Sequence, residues 1–160
     1  MKRTITKAVL CCLLLVPAAP MAAGAEPLDA YLSAFTYEER KAMKIGSKEL
    51  VELLKKGEVQ FIDIRFPEEF AAWRMGFAKN IPLNELPDRL NELDKGKLIV
   101  TACPHLDRAS LARHYLVTKG FKARYLNDGL LGLAELLRGD QARELIRSTQ
   151  VSRQPTGNTP

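Results

Sequence analysis

Leu98-Ile99-Val100-Thr101-Ala102-Cys103-Pro104-His105-Leu106-Asp107-Arg108 is the stretch on which the reading of the fold turns. It opens as an apolar run of strand length. From Arg108 to Lys119 the pattern changes, with Leu111, Ala112, Tyr115 and Leu116 at helical spacing and Gly120 as a stop. A strand that feeds a helix through a short turn is the unit of a parallel α/β sheet, and at that turn backbone N–H groups and the positive end of the helix dipole converge on one point. Anions bind there. A thiol at such a point is expected to ionise below its ordinary value and to act as a nucleophile at neutral pH. The competing reading of an unpaired cysteine is a buried structural residue.

Outward from this stretch, apolar runs alternate with segments of helical period. Residues 59–65, 77–81 and 123–126 read as further strands, with a weaker one at Lys44-Ile45. Segment 47–56 carries Leu50, Val51, Leu53 and Leu54 on one face, with Ser47 as the expected N-cap and Gly57 as the stop. Pro67-Glu68-Glu69 suits a helix start, Leu86, Leu90 and Leu93 predict a helix behind Pro87, and 130–137 and 141–147 close the domain. Alternation of this kind implies a parallel sheet covered on both faces.

The flanks read differently. Lys2, Arg3 and Lys7 precede a short apolar core over 8–16, and Ala23-Gly24-Ala25 fits a signal-peptidase site, so residues 1–25 are expected to be a cleaved export signal. Pro17 and Pro20 interrupt the run before it reaches the roughly 20 residues a membrane span needs. No stable membrane insertion is expected after cleavage. The leader holds three of the 24 basic residues and none of the 19 acidic ones, so its removal lowers the net charge from +5 to +2. The chain shows no basic stripe of the kind nucleic-acid binding needs. Cleavage also removes Cys11 and Cys12, leaving Cys103 with no partner for an internal disulfide. Leu28, Tyr31, Leu32 and Phe35 predict a helical extension over 26–43 that packs on its own domain, and the polar segment 148–160 reads as a disordered tail.

From Ile45 to about Gly139 the chain resembles the single-domain rhodaneses, a sulfurtransferase family. The matching pieces, in order, are Phe61-Ile62-Asp63-Ile64-Arg65, Pro67-Glu68-Glu69-Phe70, Asn80-Ile81-Pro82-Leu83, the strand into Cys103 with its loop to Arg108, Gly120-Phe121, Tyr125-Leu126 and Asp128-Gly129. The resemblance implies an α/β fold, rhodanese-like, with a five-stranded parallel sheet and helices on both faces, occupying residues 44–147. It implies an enzyme in which Cys103 takes sulfane sulfur as a persulfide from a small donor (thiosulfate, polysulfide or an organic persulfide) and passes it to a nucleophilic acceptor. No metal or organic cofactor is required. Pro104, His105, Leu106, Asp107 and Arg108 would hold the persulfide or substrate, with residues 104–108 supplying N–H donors apart from Pro104, and Asp63, Arg65 and Arg74 would support the site. A reducing or sulfur-accepting protein is the expected partner, and the bacterial periplasm the expected compartment.

The loop departs from the family pattern. Leu106 stands where glycine is common, so it must either take a strained positive φ or follow another path. Asp107 places a carboxylate where an anionic donor would approach, and Trp73-Arg74-Met75-Gly76-Phe77-Ala78 replaces the family's usual Gly-His-Ile-Pro-Gly-Ala. These differences sustain a rival reading as a non-catalytic module of the same fold that carries or senses sulfur or binds a partner. A cysteine phosphatase or arsenate reductase is disfavoured, because four residues between Cys103 and Arg108 are one fewer than those relatives use around a tetrahedral oxyanion. Cys103, His105 and His114 are too few and wrongly spaced for zinc.

Overall fold

The computed structural model describes residues 27–151. The expected leader over 1–25 and the last nine residues lie outside that range. Five parallel strands, β1 (Lys44–Ile45), β2 (Val59–Asp63), β3 (Lys79–Asn80), β4 (Leu98–Ala102) and β5 (Ala123–Leu126), form one sheet in the order β1-β5-β4-β2-β3. Seven α-helices accompany them, α1 (Pro27–Ser33), α2 (Tyr37–Ala42), α3 (Ser47–Lys56), α4 (Pro67–Ala72), α5 (Asp107–Thr118), α6 (Gly129–Leu136) and α7 (Asp140–Val151). A 3₁₀ helix spans Leu86–Glu92, broken by non-helical dihedrals at Arg89, where the apolar spacing predicted an ordinary helix.

The central strands are apolar on consecutive residues because both faces of the sheet are covered. Ile62, Ile99 and Cys103 face Ala109, Ala112 and Leu116 of α5 and Leu86 of the 3₁₀ helix. Phe61, Val100 and Ala102 face the opposite side, against Leu50 and Val51 of α3, Leu130 and Leu133 of α6 and Leu145 of α7. Cys103 therefore continues the α5-facing row just past the end of β4.

Several boundaries differ from the sequence reading. β2 stops at Asp63 and β3 covers two residues, although single hydrogen bonds carry the pairing past both ends: the Ile64 N–H donates to Ala102 O at the end of β4, and the Leu83 N–H to Ile64 O. Gly46, rather than Ser47, is the N-cap of α3, and the Ser47 N–H donates to Asp128 Oδ2 at 3.3 Å, a carboxylate from far along the chain. Helix α7 continues through Val151, past the expected start of the tail.

The N-terminal extension docks on α5. Arg113 is almost fully buried and donates from Nε to Ala123 O (3.0 Å), from Nη1 to the Tyr31 hydroxyl (2.6 Å) and from Nη2 to Glu39. The Tyr31 hydroxyl completes the triangle by donating to Glu39 Oε1 at 2.8 Å. His114 meets the Tyr31 ring edge-on with centroids 4.5 Å apart. The face of α5 that carries Arg113 and His114, polar in sequence, is thus an intramolecular contact.

Helix α6 begins against the loop after β4. The Leu130 N–H donates to Cys103 O (2.9 Å) and the Leu131 N–H to Pro104 O (3.4 Å). Gly129 has φ +62°, and a Cβ there would fall 2.3 Å from the carbonyl oxygens of both Pro104 and His105. Gly57 has a similar φ of +70° but open space around the missing Cβ. Gly129→Ala is therefore expected to destabilise the domain by more than about 2 kcal/mol in denaturant unfolding, against about 1 kcal/mol for Gly57→Ala. Equal costs would show that the loop does not depend on this close approach.

Candidate active site

Helix α6 takes the carbonyls of Cys103 and Pro104, and the second of these shares its peptide plane with the His105 N–H, which is thereby left facing away from α6. The backbone N–H groups of Ala109 and His105 reach the Cys103 sulfur. His105 was expected among these donors. Ala109, one residue beyond the loop as read from sequence, was not. Its position is fixed by Thr101, whose hydroxyl donates to Ala109 O at 2.8 Å.

Leu106 resolves its departure from the glycine pattern by taking another path. Its φ is −147°, and no residue other than glycine has a positive φ among the described residues. It precedes α5, accepts the Ser110 N–H at 2.8 Å through its carbonyl, and exposes its side chain. The His105 side chain is exposed as well, and Pro104 is half-buried.

Sequence position alone implied an acidified thiol, and the surroundings reverse that expectation. Cys103 is 0% exposed. Burial pushes the thiol above its ordinary value; the N–H groups of Ala109 and His105 pull the other way, and the charge and hydrogen bond of Asp107 add to the rise. Sγ lies 3.6 Å from Asp107 Oδ1. Asp107, in turn, is held below the usual carboxylate range, first by the Arg108 N–H at the start of α5, with the Cys103 hydrogen bond contributing.

Arg108 does not point a free charge at the sulfur. Its Nη1 and Nη2 donate to Glu69 Oε2 and Oε1 at 2.7 and 2.9 Å. This two-pronged pair holds Glu69 down to about 2, chiefly through the Arg108 hydrogen bonds. Because the folded value is depressed from 4.5, the pair's stabilisation is fully present above about pH 4.5 and is lost as pH falls through about 2. Glu69 also accepts the Phe66 N–H at 3.2 Å, anchoring the start of α4.

Behind α4 lies a second ion pair. Asp63 and Arg65 are both 0% exposed; Arg65 Nη2 donates to Asp63 Oδ2 at 2.6 Å and Arg65 Nε to Oδ1 at 2.9 Å. The remaining guanidinium donors go to the carbonyls of Trp73 (2.8 Å), the C-cap of α4, and of Glu69 (3.4 Å), in its first turn, and the guanidinium stacks 4.1 Å over the Trp73 ring. Asn80 Nδ2 ties the backbone on either side, donating to Asp63 O and Arg65 O. Asp63 and Arg65 therefore orient α4 and do not present charge to the loop. Arg74 stacks over Phe70 and lines a cleft of about 280 Å³ with Met75, Phe77, Leu137 and Ile146, a cleft to which residues 103–108 do not contribute.

Glu69, the Ala109 N–H, Gly129 and Asn80 are the site residues that reading by motif missed. Glu69 was visible as an acid suited to a helix start and as part of the Pro67-Glu68-Glu69-Phe70 piece, but neither points to Arg108, 39 positions away. No group of three or more His, Cys, Asp or Glu placed to hold a metal ion occurs among the described residues.

The geometry sets a pH dependence. Alkylation of Cys103 by a neutral reagent should rise with pH to a midpoint above the free-thiol value of about 8.5, and Asp107→Asn should lower that midpoint. A wild-type midpoint below the free-thiol value would show that the loop amides outweigh burial and Asp107.

The model of the rhodanese-like domain family matches residues 47–135. The thiosulfate sulfurtransferase GlpE of Pseudomonas putida is 30% identical over 86 residues, 54% of this chain and 78% of that protein. Among solved structures, a rhodanese-like domain protein from Staphylococcus aureus is 30% identical, with a TM-score of 0.53 over 56% of this chain and 89% of that one. The reduced CoADR-RHD of Bacillus anthracis is 28% identical, with a TM-score of 0.56 over 62% of this chain, which spans only 18% of that much longer protein. With its five-stranded parallel sheet in this order and its cysteine at the β4–α5 turn, the chain belongs to the rhodanese-like domain family.

Proposed function

We propose that this protein is an exported sulfurtransferase that works through a persulfide on Cys103. The observation that carries the reading is the sulfur's place at the β4–α5 turn, within reach of the Ala109 and His105 N–H groups, in a chain of this family. In the loading step the Cys103 thiolate attacks the outer sulfur of a donor R–S–S⁻. The Sγ–S bond forms as the donor's S–S bond breaks, and the proton released from Cys103 ends on the departing thiolate as R–SH. Transfer of the outer sulfur to cyanide then gives thiocyanate and regenerates the thiolate. Neither step needs an oxidant or a cofactor. The two loop amides stabilise the anion, and the Glu69-anchored Arg108 fixes the first turn of α5.

A second reading, a non-catalytic module of the same fold that binds a partner, draws on the closed environment of Cys103 and its bond to Asp107. Thiocyanate release separates the two. Cys103→Ser should abolish it with unfolding unchanged, since an alcohol keeps the size and hydrogen bonding of the thiol but carries no persulfide. Arg108→Ala should lower it about tenfold, because it loosens the loop without removing the nucleophile. Equal activity in wild type and Cys103→Ser would end the mechanism, and a wild type inactive with thiosulfate, polysulfide and organic persulfide alike would favour the binding module.

Export places the reaction in the periplasm, where a reducing or sulfur-accepting protein would take the product sulfur. No helix among the described residues is long and apolar enough to cross a membrane. The support for export is the charged, apolar and small-residue order of residues 1–25. Protein recovered from the periplasm should begin at Glu26 on N-terminal sequencing; a start at Met1 would remove the cleavage reading, and its absence from the periplasm would remove the export reading.

A further inference from the structure

The ionised groups nearest Cys103 do not cancel. Arg65 is consumed by Asp63 inside the domain, and Arg108 by both oxygens of Glu69. What remains beside the sulfur is Asp107, with Oδ1 3.6 Å from Sγ. Cys103 is buried whereas Asp107, in contact with it, is exposed, so an anion that approaches the sulfur from this side meets the carboxylate. Its place on the first residue of α5, with backbone N–H groups turned toward it, keeps it ionised throughout the neutral range.

From this arrangement we infer that Asp107 is a specificity residue that sets the charge of the donor, favouring a singly charged or neutral sulfane donor, such as an organic persulfide, over dianionic thiosulfate. The inference rests on the sulfur-transfer reading for its substrate and on the geometry alone for its electrostatics. Repulsion scales with the product of the charges, so a donor with two negative charges is disfavoured twice as strongly as one with a single charge at the same distance. The cation that would offset this is already committed to Glu69. Loading from an organic persulfide is balanced as written above. Loading from thiosulfate forms the same Sγ–S bond, breaks the S–S bond to the sulfonate and releases sulfite, which takes the Cys103 proton as hydrogensulfite.

The test compares wild type, Asp107→Asn, Asp107→Glu and Glu69→Gln, the last freeing the Arg108 charge while leaving an acceptor for the Phe66 N–H. The first readout is the ratio of Cys103 alkylation rates with anionic iodoacetate and neutral iodoacetamide, a ratio that cancels changes in thiolate fraction. Asp107→Asn and Glu69→Gln should each raise it about three- to tenfold, Asp107→Glu should leave it near wild type, and high salt should narrow the differences. The second readout is kcat/KM for thiosulfate relative to cysteine persulfide, which should move in the same direction. A ratio unchanged by Asp107→Asn in the alkylation assay overturns the charge assignment. Sulfur loading from neither donor overturns the transfer reading and the donor preference with it, while the alkylation ratio still decides whether Asp107 sets the field at the sulfur.

Discussion

Asp63 and Arg65 are charged groups with no exposed surface, and such a pair persists only where the protein itself satisfies the remaining donors and lone pairs. Arg65 meets that demand by donating to the carbonyls of Glu69 and Trp73, so the pair fixes the position of α4 on the end of β2. Helix α4 then presents Glu69 to Arg108 across the mouth of the loop. The chain of contacts runs from a buried ion pair to the first turn of α5, and through that turn to the Ala109 N–H that meets the sulfur. Removing one member of the buried pair would strand the other's charge, which costs about 3–5 kcal/mol in comparable cases.

A second set of contacts holds the loop from the other side. Helix α6 takes the carbonyls of Cys103 and Pro104, and only glycine fits at position 129 against them. The loop is thus clamped between α4 and α6, with α5 held from behind by Arg113, Tyr31 and Glu39. A thiol in so closed a place loses hydration, and two amides do not outweigh that loss once Asp107 is added. The result is a thiol whose ionisation burial and Asp107 both oppose.

The sheet was legible because fully covered parallel strands are written as continuous apolar runs: β1, β4 and β5 begin and end where the sequence reading put them. Helix α3 was equally plain from its apolar face and Gly57, but its cap was not, since Asp128 reaches Ser47 from the far end of the domain. The same division holds at the site. The place of Cys103 between a strand and a helix could be read locally. The direction of its pKa shift could not, because it depends on how deeply the residue is buried and on which way the Asp107 carboxylate turns. Leu106 shows the converse: a local rule predicted strain or a new path, and the backbone took the path with φ −147°.

The most direct test of the account is to expose the mature protein to thiosulfate, polysulfide and an organic persulfide in turn and to map the product by mass spectrometry. The account predicts one added sulfur atom on the peptide containing Cys103, removed by cyanide and absent from Cys103→Ser. Protein that gains no sulfur from any of the three, or gains it on a residue other than Cys103, would contradict it.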